Sequence, residues 1–122
     1  MDTEQLIGLH GRRILVVEDD YLIADEVAES LAEFGATVVG PANYVAEAIA
    51  LVSQETCLDA AVLDINLGRE TVFPVADALQ QRGIPFVFAT GYDQRIIPPR
   101  YAAVQRLEKP VDTRLLARLL FT

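Results

Sequence analysis

Five short apolar runs, at residues 14–17, 37–39, 60–63, 86–89 and more weakly 102–107, recur along the chain with helix-like stretches between them. Runs this short and this continuous suit strands covered on both faces, as in parallel sheets. The intervening stretches change period. Val45, Ala48, Ile49 and Val52 fall at i, i+3, i+4 and i+7, and Val72, Val75, Ala76 and Leu79 repeat the pattern. Ile23, Val27, Leu31 and Phe34 outline an earlier helix that Gly35 can end. Leu115, Leu116, Leu119 and Leu120 belong to a last helix, capped by Asp112 or Thr113, while Gly83 and Pro85 close the third.

Five β-α units in succession predict an α/β fold with a parallel sheet. Right-handed crossovers then favour a doubly wound arrangement with helices on both faces. The fourth unit is the weak one, because residues 92–100 contain Ile96, Ile97, Pro98 and Pro99, and any helix there is short. Residues 1–11 read as a loose tail and residues 12–122 as one domain.

Composition narrows the function. A chain that is 52% hydrophobic and 23% charged can bury an ordinary core. A net charge of −8 argues against a nucleic-acid partner held by the overall field. No apolar run reaches the roughly 18 residues of a membrane span, and the first residues lack a signal-peptide pattern. The one cysteine, Cys57, excludes an internal disulfide, so the expected compartment is the cytoplasm. Nine of the ten basic residues are Arg, which leaves Lys109 as the single lysine.

Ligands of open parallel sheets bind at the carboxyl ends of the strands. There the sequence places Glu18, Asp19 and Asp20 after the first strand and Asp64 at the end of the third, followed by Asn66. Thr90 and Gly91 end the fourth, and Lys109 and Pro110 follow the fifth. Like-charged carboxylates repel by about 4 kcal/mol for a pair ~4 Å apart at an effective dielectric of ~20. Such an oxygen-rich cluster suits a hard cation such as Mg²⁺. Asp20 serves equally well as a helix cap. Asp64 beside a metal can be a ligand, a base or a nucleophile forming an acyl phosphate. Thr90 can donate to a phosphoryl oxygen or simply end a strand, and Lys109 can meet a phosphoryl group as a point charge. His10 and Cys57 carry no such pattern.

Taken together, Val16-Val17-Glu18-Asp19-Asp20, Leu63-Asp64-Ile65-Asn66-Leu67, Ala89-Thr90-Gly91 and Glu108-Lys109-Pro110 resemble the receiver domain of bacterial two-component response regulators. The likeness spans residues 12–122. It implies a flavodoxin-like sheet of order 2-1-3-4-5, with Glu18 and Asp19 forming an acidic pocket for Mg²⁺. It further implies that Asp64 takes a phosphoryl group and that Asn66 lends its backbone carbonyl to the metal. Thr90 and Lys109 would hold the phosphoryl oxygens. The donor would be a phosphohistidine on a sensor histidine kinase or phosphotransfer protein, with output through a downstream protein from a monomer or a phosphorylation-dependent dimer.

One position departs from that pattern. Receivers usually carry an aromatic three residues before the lysine, where this chain has Arg106. The stretch Pro85-Phe86-Val87-Phe88-Ala89-Thr90-Gly91-Tyr92 resembles the FAT GUY subgroup, which lacks that aromatic and is often linked to HWE-type kinases. The switch is then expected in residues 92–100, with Tyr92 shielding the acyl phosphate. Rival readings are a metal-dependent phosphohydrolase that turns over on Asp64, or a degenerate receiver that only binds a partner. Haloacid-dehalogenase-like phosphatases, which the hydrolase reading resembles, need a second Asp two residues after the nucleophile as general acid, where this chain has Asn66. A nucleotide or flavin module is disfavoured because acids occupy the first β-α turn in place of a glycine-rich loop.

Overall fold

The computed structural model describes residues 8–91 and 97–121. The apolar runs become strands: β1 (Arg13–Val17), β2 (Thr37–Ala42), β3 (Ala60–Asp64), β6 (Phe86–Thr90) and β7 (Arg106–Glu108). They form one sheet of order β2-β1-β3-β6-β7 in which every pairing is parallel. Two short strands, β4 (Asn66–Leu67) and β5 (Glu70–Thr71), pair separately as an antiparallel hairpin, so the main sheet has the expected 2-1-3-4-5 order.

Alternation along each central strand feeds two cores. Leu15, Val17, Ala61, Leu63, Phe86 and Phe88 point to one face, where they meet α2 (Val45–Gln54) and α3 (Phe73–Gln81). Ile14, Val16, Val62, Val87 and Ala89 point to the other, against α1 (Tyr21–Glu33) and α4 (Thr113–Phe121). Every residue of β3 and β6 is buried, as a sheet covered on both faces requires.

The helix ends follow local chemistry. Asp20 caps α1, its Oδ1 accepting from the amides of Leu22 and Ile23 at 2.9 and 3.2 Å. Gly35, at φ +91°, takes the left-handed conformation that ends the helix. Asp112, not Thr113, caps α4, accepting from the amides of Arg114 and Leu115. Thr113 instead lies buried, its hydroxyl 2.5 Å from that of Ser30 on α1.

Three details differ from expectation. Residues 8–11 pack on the domain: Leu9 is buried, the Gly11 amide donates to Gly35 O, and Gly8 lies against Phe121. Residues 1–7 lie outside the described residues. Ile49 faces outward, because α2 lays Ala48 and Val52 on the sheet with Val45 and Leu51 beside them. The last strand is only three residues long. Pro98 and Pro99 lead into a 3-10 turn at Pro99–Tyr101, and turn hydrogen bonds occupy the backbone as far as Val104.

Candidate phosphoacceptor site

Parallel order brings the carboxyl ends of β1, β3, β6 and β7 to one rim, and a cleft of about 330 Å³ opens there. Glu18, Asp19, Asp20, Asp64, Asn66, Gly91 and Lys109 line it. The sequence thus named nearly every polar wall of this cleft. Thr90 is buried beneath the rim, its hydroxyl 3.5 Å from Leu107 O. Its carbonyl accepts from the Lys109 amide at 2.8 Å, which ties the ends of β6 and β7 together. Tyr92 lies outside the described residues.

Glu18 and Asp64 are buried, and the Lys109 ammonium bridges them, 2.6 Å from Glu18 Oε1 and 3.2 Å from Asp64 Oδ1. Burial and then the neighbouring Glu18 push the Asp64 carboxyl up to about 8, against the opposing pull of Lys109. Burial also works against the Lys109 ammonium, but Glu18 and Asp64 outweigh it and raise its pKa above the ordinary lysine value. One ammonium thus serves two buried carboxylates, with a third acid, the exposed Asp19, close by.

That imbalance defines what the site can hold. Glu18, Asp19 and Asp64 each offer a carboxylate oxygen, and the three lie within 4.8 Å of one another. An all-oxygen, anionic donor set fits a hard divalent cation. Asp20 is committed to its cap, and its amide donates to Glu18 Oε2 at 3.1 Å. Pro110 follows Lys109 through a cis peptide bond.

Two residues of the site region escaped the sequence reading. Asn43 donates from its side-chain amide to Glu18 O at 2.9 Å and steadies the end of β1. The Gly68 amide donates to Asp19 Oδ2 at 3.0 Å. Its signal was present as a two-residue Gly-Arg turn between short extended pairs, with glycine first as a primed hairpin turn prefers. Tyr101 is fully buried against Phe73, Phe86 and Phe88, on the face of β6 opposite Val87 and Ala89. Arg106, by contrast, is exposed on β7, so no aromatic occupies that position.

Comparison with known proteins agrees with this geometry. SdrG from Sphingomonas melonis Fr1 superposes with a TM-score of 0.79 at 39% identity, covering 90% of this chain and 96% of SdrG. The BeF3-activated conformation of SdrG, from Pseudomonas melonis Fr1, gives 0.70 at 42% identity over 88% and 95%. The transcriptional regulatory protein PdtaR of Mycobacterium tuberculosis is 32% identical over 90 residues, which is 73% of this chain. That alignment covers 43% of PdtaR, so the chain spans less than half the length of that relative. The profile of the response regulator receiver domain matches residues 14–120, and the chain therefore belongs to that family of two-component signalling switches.

Proposed function

We propose that Asp64 is the phosphoacceptor of a two-component phosphorelay. The observation that carries this reading is the convergence of Asp64, Glu18, Asp19 and Lys109 at the carboxyl edge of one parallel sheet. An Asp64 oxygen attacks the phosphorus of a phosphohistidine on a sensor histidine kinase, which is HWE-type on the FAT GUY reading, or on a phosphotransfer protein. The N–P bond breaks, the imidazole leaves carrying the proton that Asp64 gives up, and an acyl phosphate forms. A Mg²⁺ held by Asp19, Asp64, Glu18 and the Asn66 carbonyl would neutralise the incoming phosphoryl oxygens when bound. Lys109 then meets those oxygens as a point charge, and the Thr90 hydroxyl turns from Leu107 O to donate to them.

The donor has room to approach. Tyr21 and Leu22 are exposed beside the cleft, and an apolar groove between α1 and the β7–α4 loop leads directly to Lys109. The activated form of SdrG, 42% identical, supports the view that this chain also has an activated state. Because Arg106 is exposed, the change on activation runs through another element, and the connection after Thr90 is the candidate. Signalling then leaves through protein contacts.

The test is intact-mass detection of a phosphoryl adduct from a small phosphodonor with Mg²⁺, repeated with a phosphorylated kinase. Wild type gains one phosphoryl group only with Mg²⁺ present, and Asp64→Ala gains none. Failure of wild type with both donors would sink the acceptor reading and leave a binding module.

A further inference from the structure

Asp19 differs from its two acidic neighbours. Glu18 and Asp64 are held by burial and by Lys109, whereas Asp19 is exposed and forms no ion pair among the described residues. Repulsion from the other carboxylates would drive an unrestrained Asp19 side chain out toward water. What holds it is the tip of the β4–β5 hairpin, through the Gly68 amide on Asp19 Oδ2. A carboxylate has about four lone-pair positions, so an amide on one oxygen leaves the other open to a cation.

The hairpin is itself firmly seated. The Val72 amide donates to Ile65 O at 3.0 Å across its base, and Ile65, Leu67 and Val72 are buried in the core below. Glu70, opposite Leu67, accepts from the Val45 amide at 3.3 Å. That contact serves an otherwise uncapped helix start, since Tyr44 makes no side-chain hydrogen bond to α2. Gly68 is suited to the tip by its φ of +66°, which few L side chains adopt, although a Cβ there would meet open space.

We propose that the β4–β5 hairpin is the positioning element for Asp19, and that the Gly68 amide sets the affinity of the acidic pocket for its divalent cation. The inference rests on the metal-binding part of the function proposed above. Gly68 touches no reacting atom; it acts through Asp19. Backbone groups that orient a ligand in this way commonly shift metal affinity when lost.

The experiment uses Mn²⁺ alone as probe, with binding measured by electron paramagnetic resonance and the Gly68 and Asp19 amides followed by NMR in the metal-free protein. Gly68→Val strains the left-handed tip, where a Cβ itself meets open space, and is expected to weaken Mn²⁺ binding about tenfold. Gly68→Asn, which tolerates that conformation and keeps the amide, is expected to bind within about twofold of wild type. Glu70→Ala leaves Gly68 unstrained and weakens binding by a smaller factor, so the hairpin's role is tested even if Gly68→Val misfolds. Wild-type affinity in both Gly68→Val and Glu70→Ala, with the residue-68 amide resonance displaced, would overturn the hairpin's role. No Mn²⁺ binding by wild type would overturn the metal reading beneath it.

Discussion

Two aspartates in this domain each sit beside a cation, yet their surroundings push them in opposite directions. Asp64 shares Lys109 with Glu18, and burial and that second carboxylate raise its pKa to about 8. Asp77 on α3 receives the Tyr101 hydroxyl and then the Arg100 guanidinium, and its pKa falls below the ordinary value. The Tyr101 cluster sets one guanidinium and one hydroxyl against a single carboxylate and stands at the rim of an aromatic core. The Asp64 cluster has one cation for two buried acids. An acidic pocket short of positive charge is poorly matched to itself and well matched to a cation and a phosphoryl group.

If that contrast is sound, the aromatic cluster should carry stability and the acidic one should oppose it. The largest effect is expected for Tyr101→Ala, which empties a fully buried aromatic site and should cost about 3–5 kcal/mol in denaturant unfolding. A loss below about 1 kcal/mol would mean that the 3-10 turn is not anchored by its ring.

Next is Asp64→Asn. In the folded, metal-free protein this carboxyl holds its proton up to about 8, whereas in the unfolded chain it releases it near 3.8. The folded state therefore binds more protons between these values, so the stability that Asp64 contributes is complete below 3.8 and is lost as pH rises through 8. Asp64→Asn should raise the metal-free Tm at about pH 8.5 by about 5 °C, with the gain vanishing near about pH 3.5. A gain that is flat with pH would show that the carboxylate is not strained by its neighbours.

Asp77→Ala should have the smallest effect, at most about 1 kcal/mol at about pH 7, because its ion pair with Arg100 is half exposed. The sign opposes that of Asp64. A depressed pKa gives stability that is present above 3.8 and lost as pH falls through the lower folded value. The difference between wild type and Asp77→Ala should accordingly shrink in acid, and an unchanged difference would remove Asp77 from the comparison.

Much of this was legible in the chain itself. The apolar runs named the strands because a parallel sheet covered on both faces has no polar side to interrupt them. Acids at the ends of the first and third runs, and the single lysine after the fifth, located the cleft because parallel strands deliver their ends to one rim. The aromatic position was different. The absence of an aromatic at Arg106 is visible in the sequence, whereas the burial of Tyr101 against Phe73, Phe86 and Phe88 depends on where the 3-10 turn falls.

The sequence by itself determined the order of elements, the edge of the sheet where charge gathers and the residues gathered there, since each is a consequence of periodicity along the chain. Only the tertiary structure decided how those charges are shared. Lys109 bridges Glu18 and Asp64, and a hairpin tip restrains Asp19. These contacts join groups as many as 91 residues apart, from Glu18 to Lys109. They are set by burial and by competition among neighbouring charges, which no local pattern records.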